Sequence, residues 1–260
     1  MRPWGYGLAV SLFCLWPVAA GAQEGMSEAE AVRMLASDNP DVVRLGIETL
    51  GLSGTPSAAV AIGDRVVRGL PPELLDVAMT TLRVLGRTET VPMLTTLTHH
   101  RRASVRARAY EALAATRAPA AVQVLVDGLS DVDANVRGSA ANGLAEIGTR
   151  EQMPALLRAF DRGVAEAAPA IGKLGGPDDI RRLLGALGRL PLSSLAPGLS
   201  NALIRTDLPQ RLRLDVVGRL QELGTAEVRA YLEQLLVLLP NVPNDPVRRA
   251  IEEAIVGIAG

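Results

Sequence analysis

A pattern of residues returns about every 31 positions along this chain, and that repetition limits the fold more than any other feature. The clearest copy is Ala121–Gly148, AVQVLVDGLSDVDANVRGSAANGLAEIG. It holds two amphipathic stretches. Val122, Leu125, Val126 and Leu129 share one face of the first, and Val136, Ala140, Leu144 and Ile147 share one face of the second. Ser130–Asn135, between them, is rich in turn and N-cap residues. Successive steps of about 31 residues carry Val136-Arg137 back onto Val105-Arg106, Leu74-Leu75 and Val43-Arg44. A helix pair with one apolar stripe per helix cannot bury those stripes alone, so neighbouring pairs must stack. The expected fold is all-α, an elongated α–α superhelix.

The helix ends repeat as well. Gly86, Gly148, Gly175 and Gly224 directly follow Leu or Ile, and Gly54 follows Leu52-Ser53. Glycine at these points suits the left-handed residue that closes a helix. Thr55, Thr88, Thr149 and Thr225 come soon after four of them and are read as N-caps of the next helix, Thr149 forming a capping box with Gln152. Regular repeats are expected over about 27–175 and irregular ones over 176–260. The irregular part reads as helices over 178–187, 193–205 and 208–223, with Pro191, Pro197 and Pro209 at breaks or first turns. A kink or change of curvature is expected there. Two final helices, over 226–239 and 246–258, close the array.

Met1–Ala22 reads as a signal peptide. Arg2 supplies a positive start, Gly7–Val18 carries no charge, and Ala20-Gly21-Ala22 suits cleavage before Gln23. Retention as an anchor is the weaker alternative because the apolar run is short. Lipidation of Cys14 is weaker still, since Ser11 and Phe13 occupy the positions where a lipobox has aliphatic and small residues. The expected location is the periplasm or cell exterior. Cys14 is the one cysteine, so the mature chain would have no disulfide, thiolate metal site or cysteine nucleophile. The net charge of −1 provides no field to steer nucleic acid or an acidic membrane, and aromatics at 3% leave little for base stacking. All cations but Lys173 are arginine, as a GC-rich genome would give.

Asp131–Arg137 reads D-x-D-x-x-V-R, and Ala140–Gly148 reads A-x-x-x-L-x-x-I-G. This combination resembles the HEAT-repeat family, in particular the short bacterial repeats of the phycobilisome-lyase HEAT-like type. The resemblance covers about 26–260, most strongly 38–175, and implies a HEAT-like or armadillo-like solenoid. It also implies an Asp–Arg ladder along the stack, with Asp131 or Asp133, Arg137 and Arg106 in it, and Asp38, Arg44 and Arg248 as further candidates. Leu75 breaks the ladder in the second unit. The bilin-lyase activity in the family label fits poorly with export, the missing mature cysteine and the few aromatics.

Candidate sites are few. His99-His100-Arg101-Arg102, with Arg106 and Arg108, is the densest basic cluster, and its plainer reading is a solvated turn plus the ladder. Adjacent histidines point apart on a helix and make a poor metal pair. Asp131-Val132-Asp133 could begin a calcium loop, but Val136 and Asn142 stand where it needs Gly and Glu. No catalytic, cofactor or metal residues are assigned. The leading expectation is a monomeric, non-enzymatic scaffold in the cell envelope that binds a protein, not nucleic acid. Its partner surface is expected on the second helices, at Tyr110, Glu111, Asn142 and Glu146, with Arg102 and Arg106 at the edge. The alternatives are a lyase-like or small-molecule-binding solenoid, which needs a closed polar pocket, and a binder of anionic polymer through 101–117, whose affinity would fall steeply with salt.

Overall fold

Proline and small polar residues set the helix starts. Pro40, Pro56, Pro72, Pro119, Pro177 and Pro246 each open a helix, where a missing N–H costs no hydrogen bond. Asn39, Thr55, Asp133, Thr225 and Asp245 cap with their side chains. A computed structural model describes residues 26–239, 242 and 244–258. The expected leader, residues 1–22, lies outside them. Fifteen α-helices occupy the described residues. They run in pairs: α1 (Glu28–Met34) with α2 (Pro40–Ser53), α3 (Pro56–Arg68) with α4 (Pro72–Leu85), α5 (Val91–Leu97) with α6 (Ala103–Thr116), and α7 (Pro119–Gly128) with α8 (Ala134–Ile147). The later pairs are α9 (Met153–Asp161) with α10 (Ala168–Leu174), α11 (Pro177–Leu184) with α12 (Leu192–Ile204), and α13 (Gln210–Leu223) with α14 (Ala226–Leu238). A last helix, α15 (Pro246–Gly257), covers the end.

Second helices stack on second helices, and from α2 to α12 theirs is the more closely packed layer. Small residues allow this. The buried face of α6 carries Ala109, Ala112 and Ala114, and that of α8 carries Gly138, Ala140, Ala141 and Gly143. A Cβ on Gly143 would lie 3.0 Å from the Cβ of Ala114. At the α10–α12 crossing backbone meets backbone, since a Cβ on Gly172 would lie 2.6 Å from the carbonyl carbon of Gly198. When one layer spaces its helices more tightly than the other, the stack curves toward it, so the second helices form the inner face.

The buried leucines Leu50, Leu82, Leu113 and Leu144 mark one site on successive second helices, at spacings of about 31 residues. Seven positions before them stand Val43, Leu75, Arg106 and Arg137. Val43 therefore takes the ladder site in the first unit. Arg44 is displaced by one and makes no bond to Asp38, which is exposed.

Several helix-end expectations need correction. Gly54, Gly86 and Gly224 are left-handed, but Gly148 and Gly175 are not. A Cβ at either would still lie 2.5 Å from a carbonyl oxygen, of Leu144 or Ile171. Arg117 takes the left-handed position in the third unit. Thr55, Thr149 and Thr225 cap as expected, whereas Thr88 lies inside a 3-10 turn and turns toward Glu89. Pro191 and Pro209 precede helices, but Pro197 sits within α12. Beyond α12 the close packing changes sides: α13 packs tightly on α15, while α12 and α14 touch more sparsely. Tyr231 of α14 fills that space, its hydroxyl 3.0 Å from Ser200 Oγ and donating to the carbonyl of Ala196.

Candidate functional site

The six expected surface residues separate into three environments. Glu111, Asn142 and Glu146 are exposed on α6 and α8. Glu111 borders an open concavity of about 330 Å³ between α4 and α6, together with Met79, Thr80, Arg83 and Arg108. Arg108 crosses from α6 to pair with Asp76 of α4 at 2.7 Å, so this member of the basic cluster is neutralised on the inner face.

Tyr110 is a correction, being buried rather than exposed. It lies three positions before Leu113 and four after Arg106, which puts it on the buried stripe of α6. Its ring occupies the room left by Gly128, where a Cβ would fall 2.6 Å from the tyrosine Cζ. Burial pushes its phenol above the ordinary range, partly offset by a hydrogen bond with Thr98.

Arg106 is likewise an internal strut. Its Nε and Nη2 donate to the two carboxylate oxygens of Asp131, at 2.8 and 2.7 Å, and its Nη1 donates to the carbonyls of His100 and Arg101. The Arg106 bond holds the Asp131 carboxyl below the usual range against the opposing effect of burial, and the same bond raises the guanidinium. Asp133 serves as the N-cap of α8. Arg137 repeats the carbonyl contacts of Arg106 one unit on, donating to Asp131 and Val132. Arg248 donates to the carbonyl of Leu236 and pairs with Glu252.

Arg102 alone keeps its expected place at the edge. It is exposed at the start of α6 and, with His100 and Arg101, lines a concavity of about 230 Å³ that includes Val67, Leu70 and Leu75. The histidines belong to the turn, His100 Nδ1 accepting from the backbone N–H of Arg102. Among the described residues no three His, Cys, Asp or Glu side chains cluster as metal ligands, and no helix is long and apolar enough to cross a membrane.

Sequence reasoning missed the apolar part of the inner face. Two positions beyond Leu50 and Leu82 stand Leu52 and Val84, 90% and 75% exposed. In the same register the next two units carry Ala115 and Glu146, and one turn earlier lie Glu48, Thr80, Glu111 and Asn142. The signal was present, since a residue two positions from a buried leucine points away from the core.

Residues 62–145 and 91–168 match the family described as HEAT repeats. A search of curated proteins finds no match. Solved structures with similar chains include the complex of CpcE and CpcF of phycocyanin lyase from a Nostoc species, at 18% identity, covering 97% of this chain and 100% of that one, TM-score 0.48. Human deoxyhypusine hydroxylase in complex with glycerol matches at 18% identity, covering 89% and 95%, TM-score 0.43. Kap95p, from a structure of its binding to RanGDP, matches at 13% identity, covering 88% and 37%, TM-score 0.41.

Proposed function

We propose that this chain, whose residues 62–168 are HEAT repeats, is an exported scaffold that binds a protein partner along its inner face and carries out no chemistry of its own. One observation carries the reading. The second helices align in register and present Leu52 and Val84 to solvent beside Glu48, Thr80, Glu111 and Asn142. Leu52 and Val84 hold equivalent positions on neighbouring second helices, so their exposed surface lies on one face, and exposed apolar surface rimmed by polar groups marks contact surfaces. The side chains between them supply hydrogen-bonding and charge specificity.

Export rests on the leader sequence, and the periplasm or cell exterior follows from it. N-terminal sequencing of the protein recovered from its host would return Gln23 as the first residue of the envelope form. Recovery of an intact Met1 from the cytoplasm would overturn this part.

The surface is tested with paired baits. Leu52→Glu with Val84→Glu changes only exposed side chains, so the variant should retain the helical circular dichroism of the wild type. A specific envelope protein held by the wild type and lost from this variant supports the reading. Retention by both moves the site off this face. Absence of any protein partner, together with a thermal shift from a small molecule, would overturn the scaffold reading itself.

A further inference from the structure

The ladder is complete at one rung and half built at the next. Arg106 spends Nη1 on two backbone carbonyls and its Nε–Nη2 edge on both oxygens of Asp131. Arg137 stands at the same site on α8 and spends Nη1 identically, on the carbonyls of Asp131 at 3.0 Å and Val132 at 3.2 Å. Its second edge has nothing to match. The residue that corresponds to Asp131 one unit further on is Arg162. The Nε of Arg137 is buried without a hydrogen-bond partner among the described residues.

Nearby acids are occupied or turned elsewhere. Asp131 accepts from Arg106 and from the backbone N–H of Asp133. Asp161 pairs with Arg182. Glu166 is aligned with Gly138, where a Cβ would lie 3.2 Å from its Cγ, and it forms no ion pair among the described residues. Between Arg137 and Arg162 lies an open cavity of about 440 Å³, bordered also by Leu129, Ser130, Asp131 and Val164.

We propose that this cavity binds a carboxylate carried by a partner, the Asp or Glu side chain of an acidic peptide, held between the guanidinium groups of Arg137 and Arg162 that border it. The chain contains the template, since Asp131 on Arg106 is a planar carboxylate engaged through both oxygens. The surroundings favour a singly charged group over a phosphate dianion, because the Asp131 carboxylate also borders the cavity and repels the second charge. This site goes beyond the inner-face reading and stands even if that face binds nothing.

The test follows the arginine Nε–H resonances of the purified protein by nitrogen-15 NMR. The probes are a pentapeptide with one central Glu between glycines, blocked at both ends, its Gln counterpart, and inorganic phosphate, all at matched ionic strength. The Glu peptide should move the Arg137 resonance saturably, and neither the Gln peptide nor phosphate should do so. Arg162→Leu should weaken the Glu peptide about tenfold, the loss of one charge-assisted contact. Arg162→Asp supplies the missing carboxylate in cis. That variant should melt above the wild type, and its Arg137 resonance should no longer respond to the peptide. Equal responses to the Glu and Gln peptides, a response to phosphate alone, or an undiminished response in Arg162→Asp would overturn the proposal. Arg137→Leu, which copies Leu75 of the second unit, assigns the resonance. Should it fail to fold, the Arg162 variants decide the matter by themselves.

Discussion

Replacing Gly172 by alanine should destabilise this protein, although alanine is the better helix former. The added Cβ would fall 2.6 Å from the carbonyl carbon and 2.8 Å from the Cα of Gly198, with the carbonyl oxygen nearer still. Ordinary carbon–carbon contact is about 3.5–4.0 Å, so α10 and α12 must part by roughly 1 Å. Such a gap forfeits about a quarter to a half of each contact, worth about 0.1–0.2 kcal/mol apiece. With about 50 atom pairs across the interface, as for one buried leucine, the loss is about 1–5 kcal/mol, centred near 3. Alanine returns about 1 kcal/mol of helix propensity, which leaves a net loss of about 2 kcal/mol. A chain of this size should then melt about 4–8 °C lower. Gly218, within α13, is the control, because a Cβ there meets no atom within 4 Å. Gly218→Ala should stabilise by about 0.5–1 kcal/mol. Thermal melts followed by circular dichroism give the net effect. Hydrogen exchange by mass spectrometry gives its location, which should be α10 and α12, because units of a stack feel chiefly their neighbours. If Gly172→Ala melts at or above the wild type, or if Gly218→Ala loses as much, the backbone-contact argument is wrong.

Asp131→Asn should lower stability at neutral pH and flatten the acid limb of the stability curve. The native carboxyl titrates below its ordinary value near 3.8, so its contribution is complete above that value and fades as pH falls through the depressed one. Acid melts of the two proteins should converge at the lowest pH. The Tyr231 phenol is pushed up to about 12 by burial, so tyrosinate absorbance should lag the ordinary titration near 10 while the fold persists. The raised value means that this contribution is intact below pH 10 and is lost as pH rises from 10 towards 12. Tyr110→Ala should cost about 3–5 kcal/mol by emptying a packed site, measurable by urea unfolding. Leu52→Ala with Val84→Ala should change stability by less than about 0.5 kcal/mol in the same assay, as befits exposed positions.

The helices were legible because the apolar positions recur with helical spacing and because proline, threonine and glycine punctuate them. The expected segment 193–205 became α12, and 208–223 contains α13. The helix ends departed from the expected rule in places. Gly148 and Gly175 follow their helices as Gly86 does, yet their backbone is extended rather than left-handed, and a Cβ at either would meet the carbonyl oxygen four residues back in its own helix. The step from Leu50 to Leu82 is one residue longer than the steps that follow it, so Arg44 looked like a ladder residue while Val43 holds the place. The candidate surface was legible only in part. Glu111, Asn142 and Glu146 are exposed as expected of the second helices, but Tyr110, expected beside them, is buried in a space left by Gly128 in another helix. Arg106 and Arg137 look alike in sequence. Their difference lies 25 residues downstream, where Asp131 completes one and Arg162 faces the other.

The change of packing side beyond α12 also bounds what the inner face can hold. Between α2 and α12 the second helices form one continuous curved layer, five interhelical steps long. At about 8–10 Å per step that is roughly 40–50 Å of surface. An extended peptide of about 12–15 residues spans that length at about 3.3 Å per residue. Beyond α12 the tight layer is α13 with α15, on the opposite column, and Tyr231 spaces α14 away from α12. A partner following the inner face therefore loses its curved floor there. Truncating the chain after α12 would leave α11 and α12 uncovered, so the length of the bound segment is better measured by shortening the partner. Affinity should stop rising once the partner passes about 15 residues.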